Sequence, residues 1–156
     1  MKVENYFLRY AFPCAQIILE RGELTQEEHE ELRNIAINNK EISKERLEKI
    51  FFRAFEEIDE VAEEIGKRRW DLETIKEYFL HKHNIIIDQG KGDYKNWPPA
   101  MRELSKVLKA KVIGKKDNVL IVEYNGKKRN VLNSFVPEAR ISDSVMIHYG
   151  YAVEKA

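Results

Sequence analysis

The chain of 156 residues contains a single cysteine, Cys14. That excludes an internal disulfide and any metal site built from several thiolates. Nor does any apolar run approach the ~18 residues that read as a membrane span. The opening stretch MKVENYFLRY places an acid and an arginine within the first ten residues and is followed by no small-residue cleavage site, so a secretory leader is not expected. Net charge is missing too, because 27 Lys plus Arg balance 27 Asp plus Glu. Internal repeats and low-complexity tracts are absent. These absences together predict a soluble, cytoplasmic protein without a membrane partner.

What is present is apolar periodicity and abundant charge. A hydrophobic fraction of 43% is enough for a packed core, and 35% of residues are charged. The neutral total hides an asymmetry. Residues 1–66 carry 9 basic and 16 acidic side chains, whereas residues 67–156 carry 18 and 11. Such a split implies two units rather than one uniform fold.

The first 83 residues read as helices. Val3, Tyr6, Phe7, Tyr10, Cys14, Ile17 and Ile18 recur at three- and four-residue steps, one apolar stripe. Pro13 either kinks that helix or divides it in two. Thr25 stands three residues before Glu28 in a capping-box pattern that opens a helix reaching about Asn38. Ser43 is placed to cap the longest helix, with Leu47, Ile50, Phe51, Ala54, Ile58, Val61, Ala62 and Ile65 on one face and Gly66 at its C-terminal end. A further helix is expected from Asp71 to about His83. The stripes predict a bundle of four or five helices.

From Asn84 the pattern changes. The stretch IIIDQGKGDYKNWPPA holds two glycines and two prolines, and its later part reads as a linker. Beyond it the period shortens to two. Val119, Ile121 and Glu123 oppose Leu120, Val122 and Tyr124, and Asn125-Gly126 carries a type I′ hairpin signal. Lys127 to Leu132 is the return strand, and Val145 to His148 another, with Tyr151 to Val153 extending it past Gly150. The fold expected is therefore α+β in two domains: an all-α bundle over 1–95, a linker over 96–103, and a small OB-like β barrel over 104–156.

Candidate chemistry is sparse. His81 and His83 stand two apart, about 200° around a helix, and read as solvated helix-end residues rather than metal ligands. Cys14 lies on an apolar stripe, where a free cysteine behaves as a small buried hydrophobe. DQGKGDY lacks the spacing of a phosphate loop, and no nucleophile–base–orienter set assembles. The chain is therefore expected not to be an enzyme, and to use no cofactor or metal. Lys115, Lys116, Lys127, Lys128 and Arg129 flank two turns of the β module, and a small barrel with such lysines and nearby rings can hold single-stranded nucleic acid.

The run VLIVEYNGKKRNVLNSFVPEARISDSVMIHYGYAVEKA, preceded by Lys111-Val112-Ile113, resembles the HypC/HupF family of [NiFe]-hydrogenase maturation chaperones. The hairpin NGKKRNVLNSFVP is similar to the family's glycine–basic–Val strand leading to Leu-Val-Pro. ISDSV stands at its Gly-Asp-x-Val turn. Val145-Met146-Ile147-His148-Tyr149-Gly150-Tyr151-Ala152 is similar to its Val-Leu-Val-His-Val-Gly-Phe-Ala. The resemblance covers about 46 residues and does not extend to the N-terminal helical part. It implies a non-enzymatic chaperone or adaptor whose partners are hydrogenase maturation factors or a hydrogenase large subunit. Partner-binding residues carried over are Lys127, Lys128, Arg129, His148 and Tyr149. The family's iron-holding cysteine position falls on Ser105, with Leu104 at the methionine and Lys109 at the proline; serine is a poor soft-metal ligand. An OB-like nucleic-acid-binding protein, or an interaction module unrelated to hydrogenases, is the alternative.

Overall fold

A computed structural model describes residues 1–156. Its contacts divide the chain into two compact units, Met1–His83 and Asn84–Ala156. No helix is long and apolar enough to cross a membrane.

The first unit is helical. Helix α1 (Val3–Ala11) ends in a 3₁₀ turn over Phe12–Cys14, and α2 (Ala15–Glu20) follows. Pro13 thus divides the first stripe into two short helices, because its ring cannot donate to the i−4 carbonyl. Helix α3 (Gln26–Asn38) opens on the expected capping box: the Glu28 N–H donates to Thr25 Oγ1 at 3.1 Å and the Thr25 N–H to Glu28 Oε1 at 3.2 Å. The Ser43 hydroxyl accepts from the Arg46 N–H at 3.2 Å and starts α4 (Lys44–Ile50).

The single long helix expected from Ser43 to Ile65 is broken. Phe51 leaves helical geometry (φ −104°, ψ 36°), and α5 runs separately over Phe52–Ile65. Packing accounts for the break. The Phe51 ring meets Phe7 edge-on at 5.5 Å, while Phe55, Trp70 and Phe79 also stand 4.8 to 5.7 Å from the same ring. Burying a phenylalanine side chain stabilises by about 1.5–3 kcal/mol, comparable with or above the ~1 kcal/mol net contribution of one helical hydrogen bond. Gly66, at φ 68°, closes α5 in the left-handed conformation that its missing Cβ permits. Helix α6 (Leu72–Glu77) passes through a π-helical turn over Tyr78–Lys82 into α7 (His83–Asp88), so helix continues past the end expected near His83. The unit has six α-helical segments before that π turn rather than four or five in all, and the breaks at Pro13 and Phe51 explain the difference.

In the second unit, residues 96–103, expected to be a linker, run into helix α8 (Pro99–Ser105), whose first residue is the proline best suited to that position. Five strands follow: β1 (Val107–Lys116), β2 (Val119–Tyr124), β3 (Lys127–Leu132), β4 (Ser144–His148) and β5 (Tyr151–Lys155). They form a closed barrel in the order β1-β2-β3-β5-β4. β1 and β4 pair antiparallel to close it, while β3 meets β5 in parallel at Leu132 and Tyr151. Alternation along β2 sends Leu120 and Val122 inward, where they pack with Ala110, Val112, Val131, Val145, Ile147 and Ala152. Asn125 (φ 49°) and Gly126 (φ 73°) turn the β2–β3 hairpin with two left-handed residues, as a type I′ turn requires. At Gly114 the register of β1 shifts, and a Cβ there would lie 3.0 Å from Ile121 Cδ1. The Asn84 amide clamps the start of β1, donating to the Val107 carbonyl at 2.8 Å and accepting its N–H at 2.9 Å.

Candidate functional site

One end of the barrel gathers four of the residues carried over from the sequence: Ser105, Arg129, His148 and Tyr149. Strand β4 ends at His148, and Tyr149-Gly150 makes the tight turn into β5. Tyr149 takes a left-handed backbone (φ 50°), which aims its N–H at the Leu104 carbonyl at 3.2 Å. Its phenol reaches Ser105, the last residue of α8. Ser105 Oγ lies 2.7 Å from the Met101 carbonyl, to which it donates, and 2.9 Å from the Tyr149 hydroxyl. One hydroxyl proton serves one acceptor, so Tyr149 supplies the proton of the second contact.

Arg129 completes the cluster from β3. Its guanidinium donates to the Tyr149 carbonyl at 3.2 Å and to the Tyr124 hydroxyl at 2.8 Å, and it lies 4.9 Å from the centre of the Tyr124 ring. The arginine therefore braces the Tyr149 turn. Lys127 and Lys128 differ from it: both are exposed at the start of β3 and join no ion pair. His148 is fully buried in β4, opposite Val107 and Tyr151, with its ring 5.0 Å from that of Tyr149. Its imidazole is not part of the exposed surface. Ser105 is fully buried as well.

The exposed turn residues thus include Lys127 and Lys128, with Lys116 beside the other turn. Lys115, by contrast, caps the loop carbonyls of Pro137 and Ala139 at 2.9 and 2.8 Å. Along ISDSV, the Asp143 carboxylate accepts the Arg140 N–H at 2.9 Å and faces Lys155 at 3.1 Å; these two contacts, the backbone one first, hold its pKa below the usual range.

The helical unit contains a second group that sequence reasoning set aside. His81 is exposed, as expected, but it lies within the π turn rather than at a helix end and pairs with Glu77 at 2.9 Å. His83 is not solvated: it is 4% exposed. The correction follows from the helix continuing through the π turn, so His83 faces inward instead of lying at a frayed end. The Tyr78 and Phe79 rings stand 5.7 and 6.2 Å from its own. Cys14, at the end of the 3₁₀ turn, brings Sγ within 4.8 Å of a His83 ring nitrogen. Burial pushes the Cys14 thiol up to about 12 and the Tyr78 phenol upward too. The only hint in the sequence was the two-residue spacing that put His81 and His83 on different faces.

Comparison with protein-family models and with curated proteins gives no match.

Proposed function

We propose that the chain is a non-enzymatic, protein-binding chaperone or adaptor of the HypC/HupF type, acting in [NiFe]-hydrogenase maturation through an OB-like barrel domain. The observation that supports it is the contact between Ser105 and Tyr149 at the barrel end, 2.9 Å apart across 44 residues of sequence. Ser105 occupies the position of the family cysteine, and Tyr149 follows the histidine of the His-x-Gly-x-Ala element. A small β barrel is what the resemblance implies, and the chain closes five strands into one. With serine in place of cysteine, the barrel end offers shape and hydrogen bonds rather than a soft metal ligand. Lys127 and Lys128 would meet a partner's carboxylates, while Arg129 holds the Tyr149 turn that the partner reads. The test is affinity purification of the full chain from a hydrogenase-expressing cell. Enrichment of hydrogenase maturation proteins or a large subunit, lost in Lys127→Glu with Lys128→Glu, supports the reading; reproducible absence of both sinks it.

A nucleic-acid reading draws on charge. Residues 84–156 carry 13 Lys plus Arg against 8 Asp plus Glu, and Lys109, Lys111, Lys127 and Lys128 are all exposed. Phosphate binding through these lysines weakens steeply with added salt by counterion release. No binding to single-stranded DNA or RNA at low salt removes this alternative.

A further inference from the structure

The helical unit brings its one thiol to a buried imidazole from opposite ends of its sequence. Cys14 comes from the 3₁₀ turn after α1, and His83 from the helix that follows the π turn. The geometry points to Cys14 and His83 as two protein ligands of a divalent transition-metal site within the helical unit, zinc being the ion this donor set favours.

Distance is the first support. Sγ and the imidazole nitrogen lie within 4.8 Å. With Zn–S of about 2.3 Å and Zn–N of about 2.0 Å, two such ligands on a tetrahedral ion stand about 3.5 Å apart. Rotation of the cysteine side chain about its Cα–Cβ bond covers a difference of that order. Donor chemistry is the second. Thiolate with imidazole suits zinc, cobalt or copper, whereas magnesium and calcium take oxygen ligands. The surroundings are the third. Tyr78 and Phe79 border the imidazole, and an apolar shell limits water access and strengthens the bond to the ion. The π turn directly before His83 is a feature that recurs at functional sites. On binding, the sulfur–metal bond forms as the thiol proton passes to solvent, with no change of oxidation state.

The experiment uses the purified full chain, stripped with a chelator and titrated with Co²⁺. The expected result is a sulfur-to-cobalt charge-transfer band that saturates at one ion per chain and is bleached by Zn²⁺. Cys14→Ser removes the band. His83→Gln weakens cobalt affinity at least tenfold, while His81→Ala, which alters only the exposed histidine, leaves it unchanged. Circular dichroism establishes that each variant is folded. X-ray absorption of the zinc-loaded wild-type chain gives a readout independent of any variant: one sulfur and at least one imidazole around the ion. Absence of the charge-transfer band, a metal shell without sulfur, or unchanged affinity in folded His83→Gln overturns the assignment.

Discussion

The Ser105–Tyr149 contact predicts a measurable coupling between α8 and the β4–β5 turn. Tyr149→Phe removes one hydroxyl but leaves Ser105 bonded to the Met101 carbonyl at 2.7 Å, so no buried hydroxyl is orphaned. A net hydrogen bond contributes about 0.5–1.5 kcal/mol, and this substitution should fall near the lower end. Ser105→Ala removes two contacts at once. The Met101 carbonyl lies in α8 and keeps its place in the helical ladder, while the half-buried Tyr149 phenol loses its contact with Ser105. Two net hydrogen bonds are lost together, so that change should destabilise by about 1–2 kcal/mol. In the double variant the Tyr149 loss has already been counted, so the two single effects exceed the combined one by about 0.5–1 kcal/mol. Urea denaturation followed by tryptophan fluorescence measures all four proteins. Trp97 stands two residues before α8 and reports on this region. Additivity to within about 0.3 kcal/mol would show that the contact carries no energy and would refute the reasoning.

Further expectations concern the core, a turn, acid and the thiol. Leu120→Ala, at a fully buried position of the barrel core, should cost about 2–5 kcal/mol in urea denaturation, and a loss below ~1 kcal/mol would mean that the barrel repacks around the cavity. Gly126→Ala places a Cβ in open space but at φ 73°; backbone strain alone predicts a loss of about 1–2 kcal/mol, and no loss would contradict the type I′ turn. Arg69 donates from Nε to Asp59 at 2.7 Å and faces Glu48 at 3.1 Å. The Asp59 pKa is held down chiefly by this arginine, and that of Glu48 by the Trp70 indole first and then by Arg69. Depressed carboxylate pKa values contribute stability that is present above the unfolded value near pH 4 and lost as pH falls through the folded one. Arg69→Gln should therefore lower stability at pH 6 by about 0.2–1 kcal/mol per exposed pair and shrink the loss on acidification, read by thermal melts across that window. With its thiol pushed up to about 12, metal-free native Cys14 should alkylate at pH 8 on the order of a thousandfold more slowly than free cysteine, and unfolding should abolish the difference; rapid native labelling would contradict the burial.

What the amino-acid order determined alone was local. Thr25 and Glu28 bond each other's backbone across one turn, Asn125-Gly126 permits two left-handed residues in succession, and the alternation of Leu120 and Val122 with Ile121 and Glu123 assigns the two faces of β2. Each is settled within a few residues, by sterics or by one short hydrogen bond, so the pattern is visible before any chain packs. The break at Phe51 was not visible, because the apolar period continues through it and only the meeting with Phe7 interrupts the helix. β1 was harder still. Its register shift at Gly114 brings that residue against the Ile121 side chain of the neighbouring strand. The same holds for both candidate sites. Ser105 finds Tyr149 across 44 residues, and Cys14 finds His83 from the other end of the helical unit. Nothing in the spacing of either pair encodes the encounter. Closing a long loop has an entropic cost that only the collective burial of a core offsets, so such pairs arise as products of packing, and the tertiary structure decided them.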